Sequence, residues 1–491
     1  MKNTKTTSIL MREKLAAVLV VVLAAVLRLY RLGAESLWID EGYSLRDAAA
    51  AGSLSVVRPL YFKLLHLWIK FGQSESWLRL LAVIFGIGSV ALLYMIGRRL
   101  YGHKVGLLAA LLLAVSPLHV NHSQEVRMYS MTTFLVAAEV LFFIRYVQTG
   151  RMRDMVFCLV SAGIAFLVFP LTVIMLLVLD LFFVAVIKSR RAEALRWLAG
   201  QGLIALAAIP LIPVILRETR DYGEAWTWRL ARPGALDLLR ATRDFNVWRI
   251  PDQYPSVALM CDVYGVFILG LVIYGAARVH RVARWQTSFV VLWLAVPLIA
   301  TLVLSHLLAN MWLVRYMIYA SPAYYLLTAL GLAAIPDRRT LGMVAALVLI
   351  VPIARLGTYY VRTNRPEWRP AVSYVEQHLS EGDVIALYRY GNRYVFDYYY
   401  SGHAPRIALG PSSLSRGAFE GWNERRIAAM MSAIPSHSRR IWFILSYHEA
   451  TGGFSVENYI RREYHVLETK DFERVKIYLA ASDKSLREAG G

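Results

Sequence analysis

Leu37-Trp38-Ile39-Asp40-Glu41-Gly42-Tyr43-Ser44 sets two adjacent carboxylates among large rings, immediately after the first long apolar run of the chain. Charge held at or beside a membrane surface is costly and usually functional. Two readings stand beside each other. The pair belongs to an interfacial loop that salt-bridges Arg28 or Arg31, or it supplies a general base that takes a proton from an attacking hydroxyl.

The rest of the chain says that a membrane is there. Of 491 residues, 57% are hydrophobic and 18% charged, where a soluble enzyme carries roughly 25% charged residues. The formal charge of +20 does not indicate nucleic acid, because the basic residues collect in short clusters between apolar segments, as cytoplasmic loops do. Cys158 and Cys261 both lie in apolar segments, so no disulfide framework is predicted. Lys2, Lys5, Arg12 and Lys14 precede the apolar run Leu15–Leu27. The run leads into Arg28-Leu-Tyr-Arg31 with no clear small-x-small site and reads as an uncleaved first span.

About eleven spans are predicted, near 9–29, 76–97, 105–120, 128–147, 155–169, 171–187, 197–216, 257–278, 285–305, 312–334 and 340–356. Alternate loops carry Arg98/Arg99/Lys104, Arg145/Arg151/Arg153, Lys188/Arg190/Arg191/Arg196, Arg278/Arg281/Arg284 and Arg338/Arg339. All fall on the side of the basic N-terminus, which predicts a cytoplasmic N-terminus. The Asp40-Glu41 loop, Ser116–Arg127, 217–256, 305–315 and everything after about 357 then face outward. Segment 59–70 is apolar on one face and too short to span, and reads as an interfacial amphipathic helix; residues 42–52 read as another. The expected organisation is a polytopic α-helical membrane domain over 1–356 and an outward α/β domain over 357–491. That second domain has a helix from Pro366, strands at Asp383–Tyr388, Arg439–Ser446 and Val475–Leu479, and helices near 391–401, 423–433 and 454–463.

Further chemistry clusters in the predicted outward loops. In Ser123-Gln-Glu-Val-Arg-Met-Tyr129, Arg127 suits a phosphate oxygen, while Glu125 suits a substrate hydroxyl or orients the arginine. An internal Glu125–Arg127 pair that only fixes the loop is the alternative. Asn121-His-Ser123 has the form of a glycosylation sequon but abuts a span end. Arg315, with Tyr316 beside it, is either a snorkelling anchor or a ligand for an anionic headgroup. With Arg127, Arg58, Lys63 and His66 it makes an outward basic set next to acidic residues, as a meeting of lipid phosphate and hydroxyl acceptor requires. No Walker-type loop, GxSxG, CxxC or HxxxH pattern occurs.

Taken in order, Leu37-Trp-x-Asp-Glu-x-x-Ser44, Pro59-Leu-Tyr-x-x-Leu-Leu-His66, Glu75-x-x-x-Arg79-Leu, Gly97-Arg-Arg-Leu-Tyr-Gly102, Ser116-Pro117, Ser123-Gln-Glu-x-Arg-Met-Tyr129 and Arg315-Tyr316 resemble the GT-C membrane glycosyltransferases of the protein O-mannosyltransferase and aminoarabinose-transferase branch. The likeness is dense over 30–150 and sparser to about 335, and Glu367-Trp-Arg369 is similar to the outer domain of some bacterial members. It implies inverting sugar transfer from a polyprenyl-phosphate donor to a lipid, glycan or protein hydroxyl, outside the cytoplasmic membrane, in cell-envelope or lipopolysaccharide modification. By that analogy Asp40 is the base and Glu41 assists or positions it. Glu125, Arg127 and Tyr129 shape the sugar–phosphate pocket, and Arg315 with Tyr316 adds to it. One departure stands out. Where many relatives have His-Pro-Pro or Glu-Lys-Pro-Pro, this chain has Val56-Val57-Arg58-Pro59. Arg58 or Lys63 can replace the missing cation by charge but not by register. The expectation is therefore activity without a required cofactor, with divalent metal left open. The competing reading is a lipid-linked saccharide flippase, which would place its charges near mid-membrane along a path.

Overall fold

In the computed structural model, six helices among the described residues are long and apolar enough to cross a membrane. They are Glu75–Tyr101, Tyr129–Thr149, Glu193–Arg217, Pro255–His280, Arg284–Leu307 and Arg338–Val361. A seventh is added if His103–Ala114 and Pro117–Ser123, bent by 60°, form one span. The structure describes residues 2–50, 58–186, 191–217, 232–248, 255–308, 310–410, 424–435, 438–446 and 453–482. Val56, Val57, Lys188, Arg190 and parts of the 217–256 loop lie outside them.

Each of the eleven predicted segments falls on helix, and proline explains why several are short. Pro117 interrupts the 105–120 segment, since a proline inside a helix removes one hydrogen bond and clashes with the preceding turn. Pro170 opens a 3-10 turn between Met152–Val168 and Val173–Val186. The 312–334 segment divides into a 3-10 stretch, Val314–Ala320, and a helix, Ser321–Ala333.

The chain divides into two compact units. The first comprises Met1–Leu32, Ser53–Leu216 and Ala231–Val361 and holds the apolar helices. Small residues let its helices approach closely, as in membrane bundles. A Cβ on Gly275 would collide with the backbone of Gly331, and one on Gly97 would lie 2.6 Å from the Cα of Gly106. Gly275→Val is expected to destabilise the fold by about 1–3 kcal/mol through overpacking. A lower thermal midpoint of the purified protein in detergent is the measurement, and an unchanged midpoint would contradict the close crossing.

The second unit comprises Gly33–Gly52, Arg217–Leu230 and Arg362–Gly491. Its five-stranded sheet runs β2-β1-β3-β5-β4, with β1 Val384–Tyr388, β2 Arg406–Leu409, β3 Arg440–Ser446, β4 Tyr464–Phe472 and β5 Val475–Ser482. β1 pairs in parallel with β2 and β3, while β5 runs antiparallel to β3 and β4. Strand alternation sends Ala386, Tyr388, Ile441, Phe443, Tyr478 and Ala480 to one face, covered by Ile427 and Met431 of Glu424–Met431 and Val456 and Ile460 of Gly453–Glu463. Trp442 points to the other face, against Tyr374 of the helix Trp368–His378. Leaving β1 for β2 on one side and returning to β3 on the other makes the carboxyl end of β1 a topological switch point, where α/β sheets characteristically bind ligands.

The second unit also takes in residues 33–52 from the first loop. The helix there is Ile39–Ala49, where the sequence read a helix over 42–52, of which 51–52 lie outside the described residues. It lies on the helix Asn392–Tyr399 of the α/β unit, where a Cβ on Gly42 would stand 2.6 Å from Val395 and one on Gly391 would collide with the Tyr43 phenol. The other amphipathic helix is Pro59–Ile69, which buries Tyr61, Phe62 and Leu65.

Candidate active site

In the first unit, the break at Pro117 builds the site. Ser116 caps the short helix Pro117–Ser123, its Oγ accepting from the His119 N–H. The carbonyls of Leu113 and Ala114, released at the end of the preceding helix, accept from the fully buried Arg28, which also donates to Ser123 Oγ at 3.2 Å. Gln124 donates to the carbonyls of Arg28 and Tyr30 at 2.9 and 2.8 Å. The turn carrying Glu125 and Arg127 is thus fastened from both sides. Asn121, His122 and Ser123 are all buried in this helix, so the sequon-like triplet is packed away from any glycosylation machinery.

From this turn an aromatic cluster extends. Tyr129 and Tyr316 stack with centroids 6.4 Å apart, and Phe169 contacts both at 6.2 and 5.6 Å. Each ring carries one guanidinium: Arg127 at 6.0 Å over Tyr129, Arg58 at 5.8 Å over Phe169, and Arg315 at 5.8 Å over Tyr316. Ring faces attract cations through their quadrupole, so three mutually touching rings bring three like charges together. Glu125 joins through His122, whose Nδ1 lies 2.6 Å from Glu125 Oε2 and whose ring contacts Tyr129 and Trp248 at 4.8 and 4.9 Å.

The Glu125 carboxylate pairs with His122, and its turn is closed by a backbone bond from the Arg127 N–H to the Glu125 carbonyl at 2.7 Å. Trp248 reaches His122 from a left-handed backbone conformation, φ 45°, which costs about 1–3 kcal/mol in a non-glycine residue. Arg355 steadies it by donating to the carbonyls of Val247 and Trp248 at 3.1 and 3.0 Å.

Five residues singled out from the sequence, Arg58, Arg127, Tyr129, Arg315 and Tyr316, thus share one cluster, with Glu125 attached to it. Lys63 and His66 lie on the exposed face of Pro59–Ile69. Phe169, His122 and Trp248 were missed. Phe169 had a signal, an aromatic directly before the proline that parts two predicted spans.

In the second unit, Asp40 and Glu41 are the second and third residues of the helix Ile39–Ala49, and successive positions on a helix face different ways. Asp40 is half-buried, and its charge reaches the phenol of Tyr43. Burial, above all, pushes that phenol up to about 12, so it is a neutral hydroxyl in ordinary buffer. The Arg46 guanidinium covers Tyr43 at 4.8 Å and Tyr394 at 5.2 Å.

Glu41 is fully buried. Its Oε2 accepts from Arg365 at 2.7 Å and from the Trp38 N–H at 3.2 Å, the reverse half of a capping box. Enclosed and paired in this way, Glu41 holds the first turn of the helix that bears Asp40, in keeping with the positioning alternative that the resemblance implied for it. Arg365 also lies 3.6 Å from Glu35, and Arg369 donates its backbone N–H to Ser36 Oγ and its side chain to the Gly33 carbonyl. Among the described residues no three His, Cys, Asp or Glu side chains gather closely enough to hold a metal ion.

Residues 58–216 match the family described as dolichyl-phosphate-mannose-protein mannosyltransferase. No curated protein sequence matches the chain. The fold is similar to that of ArnT from Cupriavidus metallidurans bound to undecaprenyl phosphate, with a TM-score of 0.62 and 14% identity over 94% of this chain and 97% of that one. It is also similar to the archaeal oligosaccharyltransferase AglB from Archaeoglobus fulgidus in complex with an inhibitory peptide and a dolichol-phosphate, with a TM-score of 0.59 and 12% identity over 88% and 69% of the two chains. The chain is a multi-pass membrane protein with the GT-C fold. It resembles the protein O-mannosyltransferase and aminoarabinose-transferase branch of glycosyltransferases.

Proposed function

We propose that this protein is an inverting glycosyltransferase that moves a sugar from a polyprenyl-phosphate donor to a hydroxyl acceptor at the outer face of the cytoplasmic membrane. The observation that carries this reading is the convergence of Arg58, Arg127 and Arg315 on the rings of Phe169, Tyr129 and Tyr316. Guanidinium forks present paired N–H donors to phosphate oxygens. Held in place by rings and partly removed from water, they stabilise the charge that grows on the phosphate as it leaves.

In the reaction, the acceptor oxygen attacks the anomeric carbon and the bond from that carbon to the phosphate oxygen breaks. Polyprenyl phosphate departs with the electron pair, and Asp40 takes the acceptor proton. Attack opposite the leaving phosphate inverts the anomeric centre. Glu125 fixes His122 and with it the wall of Tyr129 and Trp248 beside the sugar. No step is given to a metal or cofactor. The undecaprenyl phosphate bound by ArnT and the dolichol-phosphate bound by AglB support a lipid-phosphate donor; protein, glycan and lipid acceptors fit the scheme equally.

The test supplies membranes containing the protein with polyprenyl-phosphate sugars labelled in the sugar, followed by mass spectrometry of envelope lipids, glycans and proteins. A new glycosidic product, with release of polyprenyl phosphate, is expected. Movement of intact labelled donor across the membrane without a new bond would replace this reading by the flippase.

A further inference from the structure

We infer that Arg365 is the positioning residue of the reaction: through Glu41 it fastens the helix bearing Asp40 to the α/β unit, so that the base works as part of that unit. This deepens the proposed function and rests on Asp40 as base. The two groups stand 324 residues apart in the chain and meet at 2.7 Å, with Glu41 fully buried and Arg365 7% exposed.

Nothing in local helix formation calls for this pairing. Glu41 already closes the first turn through the Trp38 N–H, and an apolar side chain of similar volume commonly serves a core as well as a buried ion pair does. What the pair adds is registry. One guanidinium ties Glu41 and Glu35, on either side of the turn into the helix, to the segment that opens the C-terminal part of the chain. Its neighbours repeat the attachment. Asn364 donates its backbone N–H to Glu35 Oε1 at 2.6 Å, Arg369 holds Ser36 and Gly33, and Tyr399 Oη accepts from the Leu37 N–H at 2.7 Å. The carboxylate of Asp40 is aimed by a helix whose start is bolted through Gly33, Glu35, Ser36, Leu37 and Glu41 to residues 364–399. Those residues include the carboxyl end of β1, the switch point of the sheet.

The experiment uses the full-length protein in detergent and four variants: Arg365→Met, Arg365→Lys, Glu41→Gln and the Glu41→Gln/Arg365→Met double. Three quantities are read for each: turnover with polyprenyl-phosphate sugars extracted from the host membranes, binding of undecaprenyl phosphate, and amide hydrogen exchange over residues 35–49. Arg365→Met is expected to lower turnover about 30- to 100-fold, the scale of a small misplacement of a catalytic group. Undecaprenyl phosphate affinity should stay within about twofold and exchange over 35–49 should rise. Arg365→Lys should recover most of the turnover, and the double variant should be no worse than the poorer single, since both act through one contact. Turnover of Arg365→Met within twofold of the parent would overturn the inference. So would a parallel loss of turnover and undecaprenyl phosphate binding, which would mark a general loss of structure. Failure of the underlying reading is seen separately: full turnover of Asp40→Asn removes the base, whereas the exchange data on Arg365→Met report the attachment whether or not Asp40 is catalytic.

Discussion

Asp40→Asn should abolish sugar transfer while leaving the protein folded and able to bind polyprenyl phosphate. The substitution keeps shape and removes the basic oxygen. Loss of a general base costs about 10²- to 10⁴-fold in rate, and the asparagine amide has no comparable affinity for a proton. Two attachments of the helix do not depend on the charge of Asp40: Ser44 Oγ donates to the backbone carbonyl of Asp40, and Glu41 pairs with Arg365. Glu41→Gln makes the contrast. It leaves the Asp40 carboxylate intact but strips charge from a buried pair, and removing one partner of such a pair is destabilising by about 3–5 kcal/mol. Measured side by side, Asp40→Asn should lose turnover at an unchanged thermal midpoint, and Glu41→Gln should lose both. Full turnover in Asp40→Asn would end its assignment as base.

That contrast shows what the sequence could and could not carry. Adjacent carboxylates in Asp40-Glu41 are chemically alike; the family resemblance ranked them, and the fold shows what each one touches. The partner of Glu41 is Arg365, on the other side of the membrane-helix series, and no local pattern points from one to the other. The same holds for His122, which took the carboxylate of Glu125, and for Trp248, whose ring is placed by a left-handed backbone.

Where physics is local, the reading was good. Apolar runs marked the helices, and the short runs at 383–388 and 439–446 marked β1 and β3. β2 is only Arg406–Leu409, and β4, Tyr464–Phe472, is an exposed edge strand carrying Glu468, Lys470 and Asp471. Neither shows the apolar pattern of a buried strand. Predicted spans came out shorter where Pro117 and Pro170 end helices, a penalty that mean hydropathy does not register.

Removing the guanidinium groups should separate donor binding from the chemistry of the acceptor. Arg127→Ala and Arg315→Ala are each expected to weaken binding of undecaprenyl phosphate about 10- to 100-fold, since a hydrogen bond to a charged group contributes about 1.5–3 kcal/mol. Arg58→Ala should follow the same direction, its guanidinium lying over Phe169 in the same cluster. The rings make a second, sharper test. Tyr316→Leu keeps Arg315 but removes the face beneath it, at a cost of about 0.5–2 kcal/mol in the cation–ring attraction. It should therefore weaken binding less than Arg315→Ala does. Lysine at 127 or 315 keeps the charge and loses the planar fork, so partial affinity with stronger salt dependence is expected. Binding titrations of the purified variants in low and high salt decide the matter. Unchanged affinity in both Arg127→Ala and Arg315→Ala would make the cluster a packing device and leave the donor phosphate to be held elsewhere. If only the double variant loses affinity, the three guanidinium groups share one phosphate and compensate for one another, as neighbours in one network do.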